Sequence, residues 1–364
     1  MDSKELVQNT IQKREVTGNA FWVGHPADET KEIYYQALGV HETALTELEQ
    51  HNRDDSVLKS SKVDDAEIEF NLKIGSDMIW VSPEFDLKSW RHPEGKPMWD
   101  CFKEKRVGLG DPGVFAECDS LSEVEAFDWP DPGYLDFSAS VEYLKKADES
   151  GLAVFGGMWC PFFHVICDFF GMENYFIKMY DNPKIVHAVT ERVVDFYVDT
   201  NSRFLPLVSD RLVAGFFGND LGTQLDLMIS EECFDEFILP YIKRIIATIK
   251  GAGLKVALHS CGAIDRIIPK LIEAGVDILH PIQALAKGMD AGSLAAKYGK
   301  DLIFMGGVDT QQLLPFGTPE QVREEVLRLR EVFGEYFIVS PSHEAILPNV
   351  PIENVQAMSA TAKE

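Results

Sequence analysis

From residue 151 to the end, the chain repeats one unit: a short apolar run, a polar or glycine-containing break, and a longer amphipathic segment. Short apolar runs suit buried strands, and amphipathic segments suit helices. Helices that separate successive strands imply parallel strands joined by right-handed crossovers. The runs in this part of the chain are LAVFGGMW, RLVAGFFGND, LKVALHSCG, DILHPIQ, DLIFMGGVD and YFIVSPSH.

Two earlier runs, DMIWV at 77–81 and FWVGHP at 21–26, raise the number of expected strands to eight. Eight strands suit a closed barrel better than an open sheet. A doubly wound dinucleotide-binding fold is the competing architecture, but no G-x-G-x-x-G follows an early strand. We therefore predict a single (β/α)8 TIM barrel domain over 1–364. In it, 1–65 is an N-terminal helical extension, and 83–135, rich in proline and glycine, forms loop excursions.

The composition limits the partners of this chain. Its formal charge of -25, from 59 acidic and 34 basic residues, would repel a nucleic-acid backbone or an anionic membrane. The six cysteines are scattered, which indicates reduced thiols rather than a disulfide scaffold. The polar start MDSKELVQNT lacks the apolar core of a signal peptide. We expect a cytoplasmic protein that binds neither nucleic acid nor membrane.

Polar residues gather at the predicted C-terminal ends of the strands, where barrel enzymes place their active sites. Each has a structural alternative. Asp220 and Asp309 could cap the following helices, and His280 could be a satisfied structural histidine. Trp159 could belong to the core. The coincidence on one face favours a site, and its residues are Trp159, Cys160, Asn219, Asp220, His259, Cys261, His280, Gln283, Asp309, Ser340 and His343.

His259-Ser260-Cys261 is the sharpest local feature. Residues i and i+2 of a strand point to the same face, so the imidazole and the thiol project together into the barrel mouth. Nitrogen and thiolate sulfur are ligands that zinc accepts, and a catalytic zinc needs three of them. His343, after the last strand, is the best third candidate. The alternative is that Cys261 is a small buried hydrophobe.

From about residue 210 to the end, and more loosely from 150, the chain resembles the uroporphyrinogen decarboxylase superfamily. The matching segments include GNDLGTQLDLMISEECFDEFILPYIKRI, GLKVALHSCGAIDRIIPKLIEAGVDILHPIQ, YGKDLIFMGGVDTQQLL, GTPEQVREEV and SPSHEAILPNVPIENVQAM. The resemblance implies a (β/α)8 barrel. True decarboxylases carry an N-terminal Arg-Gln-Ala-Gly-Arg motif that binds the substrate carboxylates. Nothing like it occurs in FWVGHPADETKEIYYQALGV, so uroporphyrinogen decarboxylation is not expected.

The other branch of this superfamily comprises zinc-dependent, corrinoid-linked methyltransferases, and its H-x-C pair looks like His259-Ser260-Cys261. In that branch a Pro-Gly-Cys segment before a Pro-x-Glu-Asn helix supplies a third ligand. Here Pro341-Ser342-His343 precedes Pro351-Ile352-Glu353-Asn354, so His343 stands where the cysteine would be. The resemblance thus implies zinc held by His259, Cys261 and His343, and a corrinoid carried by a partner protein.

The expected reaction is methyl transfer from a methoxylated aromatic to the cobalt of that corrinoid protein. Aromatic residues that crowd the strand ends favour such a donor. We assign catalytic roles to Asp220, Asp309 and His280, and substrate binding to Trp159, Phe217, Asn219 and Gln283. The aromatic residues concerned are Trp22, Trp80, Trp159, Phe155, Phe162, Phe163, Phe169, Phe170, Phe216 and Phe217.

Other classes stay open at this point. A methylcobalamin:thiol methyltransferase of the coenzyme M type would need no aromatic ether. A uroporphyrinogen decarboxylase-like enzyme without zinc, or a non-catalytic corrinoid-binding module, would have no use for a metal. His343 favours the zinc enzyme, because a protein that binds no metal does not need a metal-ligating side chain at this position.

Overall fold

A computed structural model of the protein describes residues 1–40, 61–83, 89–101 and 110–364, and only the backbone of residues 61–64. Eight strands lie in these ranges, and each overlaps one of the eight apolar runs found in the sequence. The strands are β1 (Ala20–Phe21), β2 (Met78–Val81), β3 (Ala153–Gly156), β4 (Leu212–Gly218), β5 (Lys255–His259), β6 (Ile278–Ile282), β7 (Ile303–Val308) and β8 (Ile338–Pro341).

All strand pairs are parallel, in the order β1-β8-β7-β6-β5-β4-β3-β2. The two ends of this sheet meet at Asp77, just before β2. Its backbone N–H donates to the Phe21 carbonyl at 2.7 Å, and its carboxylate accepts from the Phe21 N–H at 2.9 Å. The sheet is therefore a nearly closed barrel, which confirms the predicted (β/α)8 fold.

Helices surround the barrel and fill most of the connections between its strands. The helix Pro319–Phe333 (α14) shows why helices begin where they do. Thr318 caps its first turn, Gln321 completes a capping box, and Pro319 takes the first helical position. The helices are α1 (Ser3–Ile11), α2 (Asp28–Leu38), α3 (Ser61–Ile74), α4 (Leu121–Ala126), α5 (Ser138–Glu149), α6 (Phe162–Phe170), α7 (Met172–Asp181), α8 (Pro183–Val208), α9 (Glu231–Phe237), α10 (Leu239–Gly251), α11 (Ile268–Ala274), α12 (Ala291–Tyr298), α13 (Leu313–Phe316), α14 (Pro319–Phe333) and α15 (Ile352–Ala362).

The N-terminal extension places α1 against the barrel interior, where Leu6, Val7 and Ile11 join the cluster of inward-facing strand residues. The described part of 83–135 contains α4 and a 3₁₀ turn at Pro132–Tyr134. Residues 41–60, 84–88 and 102–109 of these two stretches lie outside the described residues. The assignment of 1–364 to one domain with these additions stays a prediction. Within the described ranges, no helix has the length and apolar character needed to cross a bilayer.

Two apolar layers sandwich the strands. We call the inward-facing set the interior cluster, which includes Met78, Phe216 and Ile278, and the set between strands and helices the outer core, which includes Phe217. Strand alternation makes this division, because successive side chains point to opposite faces. Fully burying a side chain such as Phe216 contributes about 1.5–3 kcal/mol. The end of the interior cluster that lies nearest the C-terminal ends of the strands forms the bottom of the barrel mouth.

We predict that Asp77→Ala lowers the free energy of unfolding by about 3 kcal/mol, because hydrogen bonds to a buried carboxylate are among the stronger ones. The substitution removes acceptors for the Phe21 N–H and the Ser3 hydroxyl, which lies 2.7 Å from Oδ1. Urea unfolding followed by circular dichroism measures the change. Asp210→Ala, at an exposed position, should stay within about 0.5 kcal/mol of the parent. Equal stability of both variants would contradict the role of Asp77 in closing the barrel.

Candidate functional site

The site is built on two neighbouring strands. His259 ends β5 and pairs in register with His280 of β6, so both side chains point into the barrel. Their Nδ1 atoms lie 3.0 Å apart, and both residues are buried. Burial has the largest effect on the pKa of His280 and, together with the nearby His259 and His343, holds that pKa well below its usual value. A neutral His280 can accept a hydrogen bond from His259 Nδ1–H, which leaves His259 Nε2 to face the mouth.

Cys261 lies beside that nitrogen, with its Sγ 3.4 Å from His259 Nε2. Asp220, just beyond β4, places Oδ1 3.1 Å from the same nitrogen and accepts a hydrogen bond from the Cys261 backbone at 2.9 Å. The chain turns directly after Cys261, where Gly262 has φ +91° and a Cβ would lie 2.4 Å from the Gly222 carbonyl oxygen. Glycine is therefore required there, and the turn brings the β4 and β5 loops together.

Glu344 is a site residue that the sequence analysis missed. Its Oε2 lies 3.6 Å from His259 Nδ1 and 3.6 Å from His343 Nδ1. That oxygen is buried and makes no hydrogen bond to any described residue. β8 ends at Pro341, so strand alternation no longer decides the direction of the side chains that follow. In the sequence, the position of Glu344 directly after His343, an expected ligand, was the feature that could have identified it.

Among the residues that the structure describes, three overlapping groups of donors could hold a metal ion, each with its ligand atoms within 4.8 Å of one another. Cys261 shares one group with His259 and another with His343, but no group joins His259 to His343. Glu344 belongs to a group with each of these histidines. The structure thus gathers all three expected ligands at one place and adds carboxylates to them. The groups are Asp220–His259–Cys261, His259–His280–Glu344 and Cys261–His343–Glu344.

The electrostatics of this cluster favour a cation. Burial alone would lower the pKa of His259, but the charges of Glu344 and Cys261 and the hydrogen bonds with Asp220 and Cys261 outweigh burial and raise that pKa well above its usual value. Burial opposes ionisation of Asp220, but its hydrogen bond and charge interaction with His259 lower its pKa. Burial raises the pKa of Cys261 to about 11, although His259 acts in the opposite direction. Convergent acidic groups in a half-buried mouth suit a divalent ion of borderline softness.

One side of the mouth is aromatic. Trp159 lies 5.1 Å from His259 and 4.8 Å from Trp80, measured between ring centroids, and Phe216 lies 5.7 Å from both tryptophans. We call Trp80, Trp159 and Phe216 the aromatic wall. Gly218 makes room for it, because a Cβ at Gly218 would lie 2.3 Å from the Trp159 ring. Both tryptophans are only partly buried, so the wall offers apolar surface beside the donors.

The other expected aromatic residues are buried. Trp22 and Phe155 belong to the interior cluster together with Phe216, and the Trp22 ring centroid lies 5.0 Å from that of His280. Phe162, Phe163, Phe169, Phe170 and Phe217 belong to the outer core. The expected contact of Phe217 with substrate is therefore not supported: Phe216, its neighbour, has the inward orientation.

Three more expected site residues form hydrogen bonds with backbone groups of neighbouring loops and turns. Asn219 accepts from the Phe163 N–H and donates to the Cys160 carbonyl, so it holds the turn that carries Trp159. Asp309 accepts three backbone N–H groups at 2.8–3.0 Å and caps the following turn, the structural alternative raised above. Gln283 accepts from the Gly262 N–H at 2.6 Å, which places it beside the donor cluster.

Comparison with known proteins now identifies the family. Residues 106–364 match the model of the uroporphyrinogen decarboxylase (URO-D) family, so the chain belongs to that family. The recognition made from the sequence segments is confirmed.

Individual relatives include both chemistries of the family. A methylated-thiol--coenzyme M methyltransferase of Methanosarcina mazei is 25% identical over 233 residues, which cover 62% of this chain and 57% of the relative. A uroporphyrinogen decarboxylase of Chlorobaculum tepidum is 24% identical over 57% of this chain and 58% of its own. The match thus spans little more than half the length of these relatives. Among solved structures, a methyltransferase from Methanosarcina mazei has a TM-score of 0.67 at 13% identity and covers 100% of this chain and 98% of its own, which shows the shared fold.

We predict that Gly218→Ala displaces Trp159 from His259 and lowers the free energy of unfolding by about 1–3 kcal/mol, because the added methyl group overpacks the mouth. Near-ultraviolet circular dichroism reports the tryptophan packing, and urea unfolding reports the stability. Gly251→Ala is the matched control, since a Cβ there meets nothing within 4 Å. An unchanged tryptophan signal in Gly218→Ala would contradict the close approach of the ring.

Proposed function

We propose that the protein is a zinc-dependent methyltransferase that moves a methyl group from a methoxylated aromatic compound to the cobalt of a corrinoid protein. The observation that carries this proposal is the set of overlapping donor groups that joins His259, Cys261, His343 and Glu344 beside an aromatic wall at the mouth of a URO-D family barrel. The methyltransferase of Methanosarcina mazei among the relatives supports this branch of the family.

The donor set fits zinc, which accepts imidazole nitrogen, thiolate sulfur and carboxylate oxygen. His259 and Cys261 would supply two ligands. We take Glu344 as the third ligand in preference to His343, because Glu344 shares one group with His259 and a separate group with Cys261, whereas His343 shares a group with Cys261 but none with His259. Asp220 completes the group that holds both His259 and Cys261. The buried Oε2 of Glu344 makes no hydrogen bond to a described residue. When bound, zinc would supply Lewis acidity that stabilises a leaving oxygen.

The residues around these donors have separate roles in the proposal. His280 is a positioning residue: its Nδ1 fixes the ring of His259 through the 3.0 Å contact. The aromatic wall binds the donor ring, and Asp220 balances the positive charge near His259 Nε2. The reaction would break the bond between the methyl carbon and the ether oxygen and leave its electron pair on the phenolate. The methyl group would pass to the corrinoid of the partner protein as co-substrate, whose reduced cobalt would supply the electron pair of the new bond.

A thiol substrate is the second candidate, since the relative from Methanosarcina mazei is named for a methylated thiol and coenzyme M. The aromatic wall favours an aryl ether over a small thiol, because an apolar ring gains more from stacking than a short alkyl chain does. A decarboxylase acting on a substrate with many carboxylates would need clustered arginines. Two carboxylates, those of Asp220 and Glu344, lie near His259.

We predict that the purified protein binds about one zinc ion, and that His259→Ala and Cys261→Ala abolish this binding because each removes one of three ligands. Glu344→Gln should weaken zinc binding by at least about tenfold, and by more than His343→Ala does. Elemental analysis after dialysis and competition with a chelating dye measure both quantities. Cys233→Ala, which removes a buried thiol far along the chain from Cys261, is the control.

Two results would contradict this site. Full zinc content in both His259→Ala and Cys261→Ala would exclude the metal centre. A larger effect of His343→Ala than of Glu344→Gln would return the third ligand to His343, as the family resemblance implies.

The methyl donor can be identified with a cobalt(I) corrinoid protein and a panel of methyl compounds. We expect guaiacol, veratrole or vanillate to form methylcobalt(III), seen by its absorbance, at least about tenfold faster than dimethyl sulfide does. Trp159→Ala should lower kcat/KM for the aryl ethers by about tenfold, the value of a lost aromatic contact, and leave the sulfide rate unchanged. Faster reaction of the sulfide, with no effect of Trp159→Ala, would favour the thiol candidate.

A further inference from the structure

The turn after β3 contains a strained residue. Cys160 has a φ of +53°, in the left-handed region, and only one other non-glycine residue of the described chain, the exposed Lys13, has a positive φ. A side chain in this region is crowded against the backbone, so such a residue persists only where surrounding contacts fix it, and such positions cluster at functional sites. Neither the donor groups nor the aromatic wall includes Cys160, so its strain has no explanation in the proposed metal site.

Asn201 fixes this turn from a surrounding helix. It belongs to α8, and only 1% of the residue is exposed. Its Oδ1 accepts a hydrogen bond from the Met158 N–H at 3.0 Å, and its Nδ2 donates to the Cys160 Sγ at 3.4 Å. The Cys160 thiol in turn donates to the Met158 carbonyl at 3.2 Å. One buried amide therefore bonds the residues on both sides of Trp159.

The end of β4 fixes the other side of the turn. The Asn219 Nδ2 donates to the Cys160 carbonyl at 3.1 Å, and the Gly218 N–H donates to the Trp159 carbonyl at 2.9 Å. Asn219 is also only 1% exposed. Buried hydrogen bonds of this kind are costly to leave unmade, because the freed groups would be left without partners. The backbone from Met158 to Cys160 is therefore held in one conformation between α8 and β4.

This conformation sets the direction of the Trp159 side chain. The ring packs on Gly218, where a Cβ would lie 2.3 Å from it, and its centroid is 5.1 Å from that of His259 at an interplanar angle of 63°. α6 begins at Phe162, two residues after Cys160, so the chain has little length in which to change direction. The left-handed φ of Cys160 supplies that change.

We propose that Cys160 and Asn201 are positioning residues, which hold the Trp159 ring in place before a methyl donor binds. The proposal rests on the function proposed above, in which the aromatic wall contacts the donor. Ordering a side chain during binding weakens affinity, so a ring that is already fixed retains more of its contact energy. The strain at Cys160 is then explained, because a relaxed turn would carry the ring away from His259.

Fluorine NMR of full-length protein labelled with fluorotryptophan tests the position of the ring. The chain has six tryptophans, and Trp159→Phe assigns the resonance of Trp159. We expect Asn201→Ala and Cys160→Gly to shift or broaden this resonance, because the first removes the amide and the second removes the thiol from a turn that glycine adopts without strain. Cys160→Ser keeps a hydrogen-bonding group and should keep the parent resonance. Trp129, which packs on Phe127, is the internal reference.

Asn71→Ala is the matched control for the loss of a buried asparagine. Asn71 lies on another outer helix, α3, is 2% exposed, and donates from Nδ2 to the Glu67 carbonyl of the same helix at 2.9 Å. Its loss should lower stability without moving the Trp159 resonance. Urea unfolding shows which variants are folded. If Asn201→Ala does not fold, Cys160→Gly decides the test.

Kinetics provide a second measurement, with a cobalt(I) corrinoid protein as acceptor. We expect Asn201→Ala to raise KM for guaiacol by about fivefold, the usual cost of ordering one side chain, and to leave the rate with dimethyl sulfide unchanged. An equal loss of rate with both donors would indicate a merely structural role and overturn the proposal.

The NMR outcome separates this inference from the proposed function. A moved Trp159 resonance in Asn201→Ala and Cys160→Gly, with the parent resonance in Cys160→Ser and Asn71→Ala, supports the inference whether or not any methyl donor reacts. An unchanged resonance in both Asn201→Ala and Cys160→Gly would overturn it, even if aryl ethers are demethylated. A parent protein that transfers no methyl group contradicts the proposed function alone.

Discussion

The register between β5 and β6 is the constraint on which the site depends. It sets His259 opposite His280, so the imidazoles meet inside the barrel at 3.0 Å between Nδ1 atoms. A neutral His280 can accept only if His259 carries its proton on Nδ1, which reserves Nε2 for the mouth. Cys261 then follows on the same side of the chain. A shift of one residue in either strand would turn one imidazole outward and separate the donors.

Much of the fold could be predicted from the sequence because strand periodicity and helix punctuation are local properties. The same rule correctly put His259 and Cys261 on one side. In β4, alternation puts Phe216 on the same face as Asp220, and puts Phe217 and Asn219 on the opposite face. Alternation therefore predicts Phe216 for the mouth, whereas Phe217 packs in the outer core and Asn219 holds the turn after β3.

The roles of the remaining site residues cannot be predicted from a local sequence pattern. Asp309 follows a strand as Asp220 does, yet it caps a turn, whereas Asp220 reaches His259. Asp309 directly follows the last residue of β7, whereas Asp220 lies two residues after the last residue of β4, and the loops that follow take different paths. Glu344 lies beyond the end of β8, where alternation stops and where backbone contacts such as that of the Ala345 N–H with His343 Nδ1 direct the chain. Tertiary structure is needed to assign such residues.

Charge divides the barrel mouth into two parts. Around His259, Asp220 from the loop after β4 and Glu344 from the loop after β8 create a potential that favours a cation. On the β6–β8 side, amides and apolar groups create a surface without formal charge. An uncompensated carboxylate against an apolar group would be desolvated at a cost. Under the proposed function, a metal ion would therefore be held near His259, and uncharged parts of a substrate would contact the amides and apolar groups without desolvating a carboxylate.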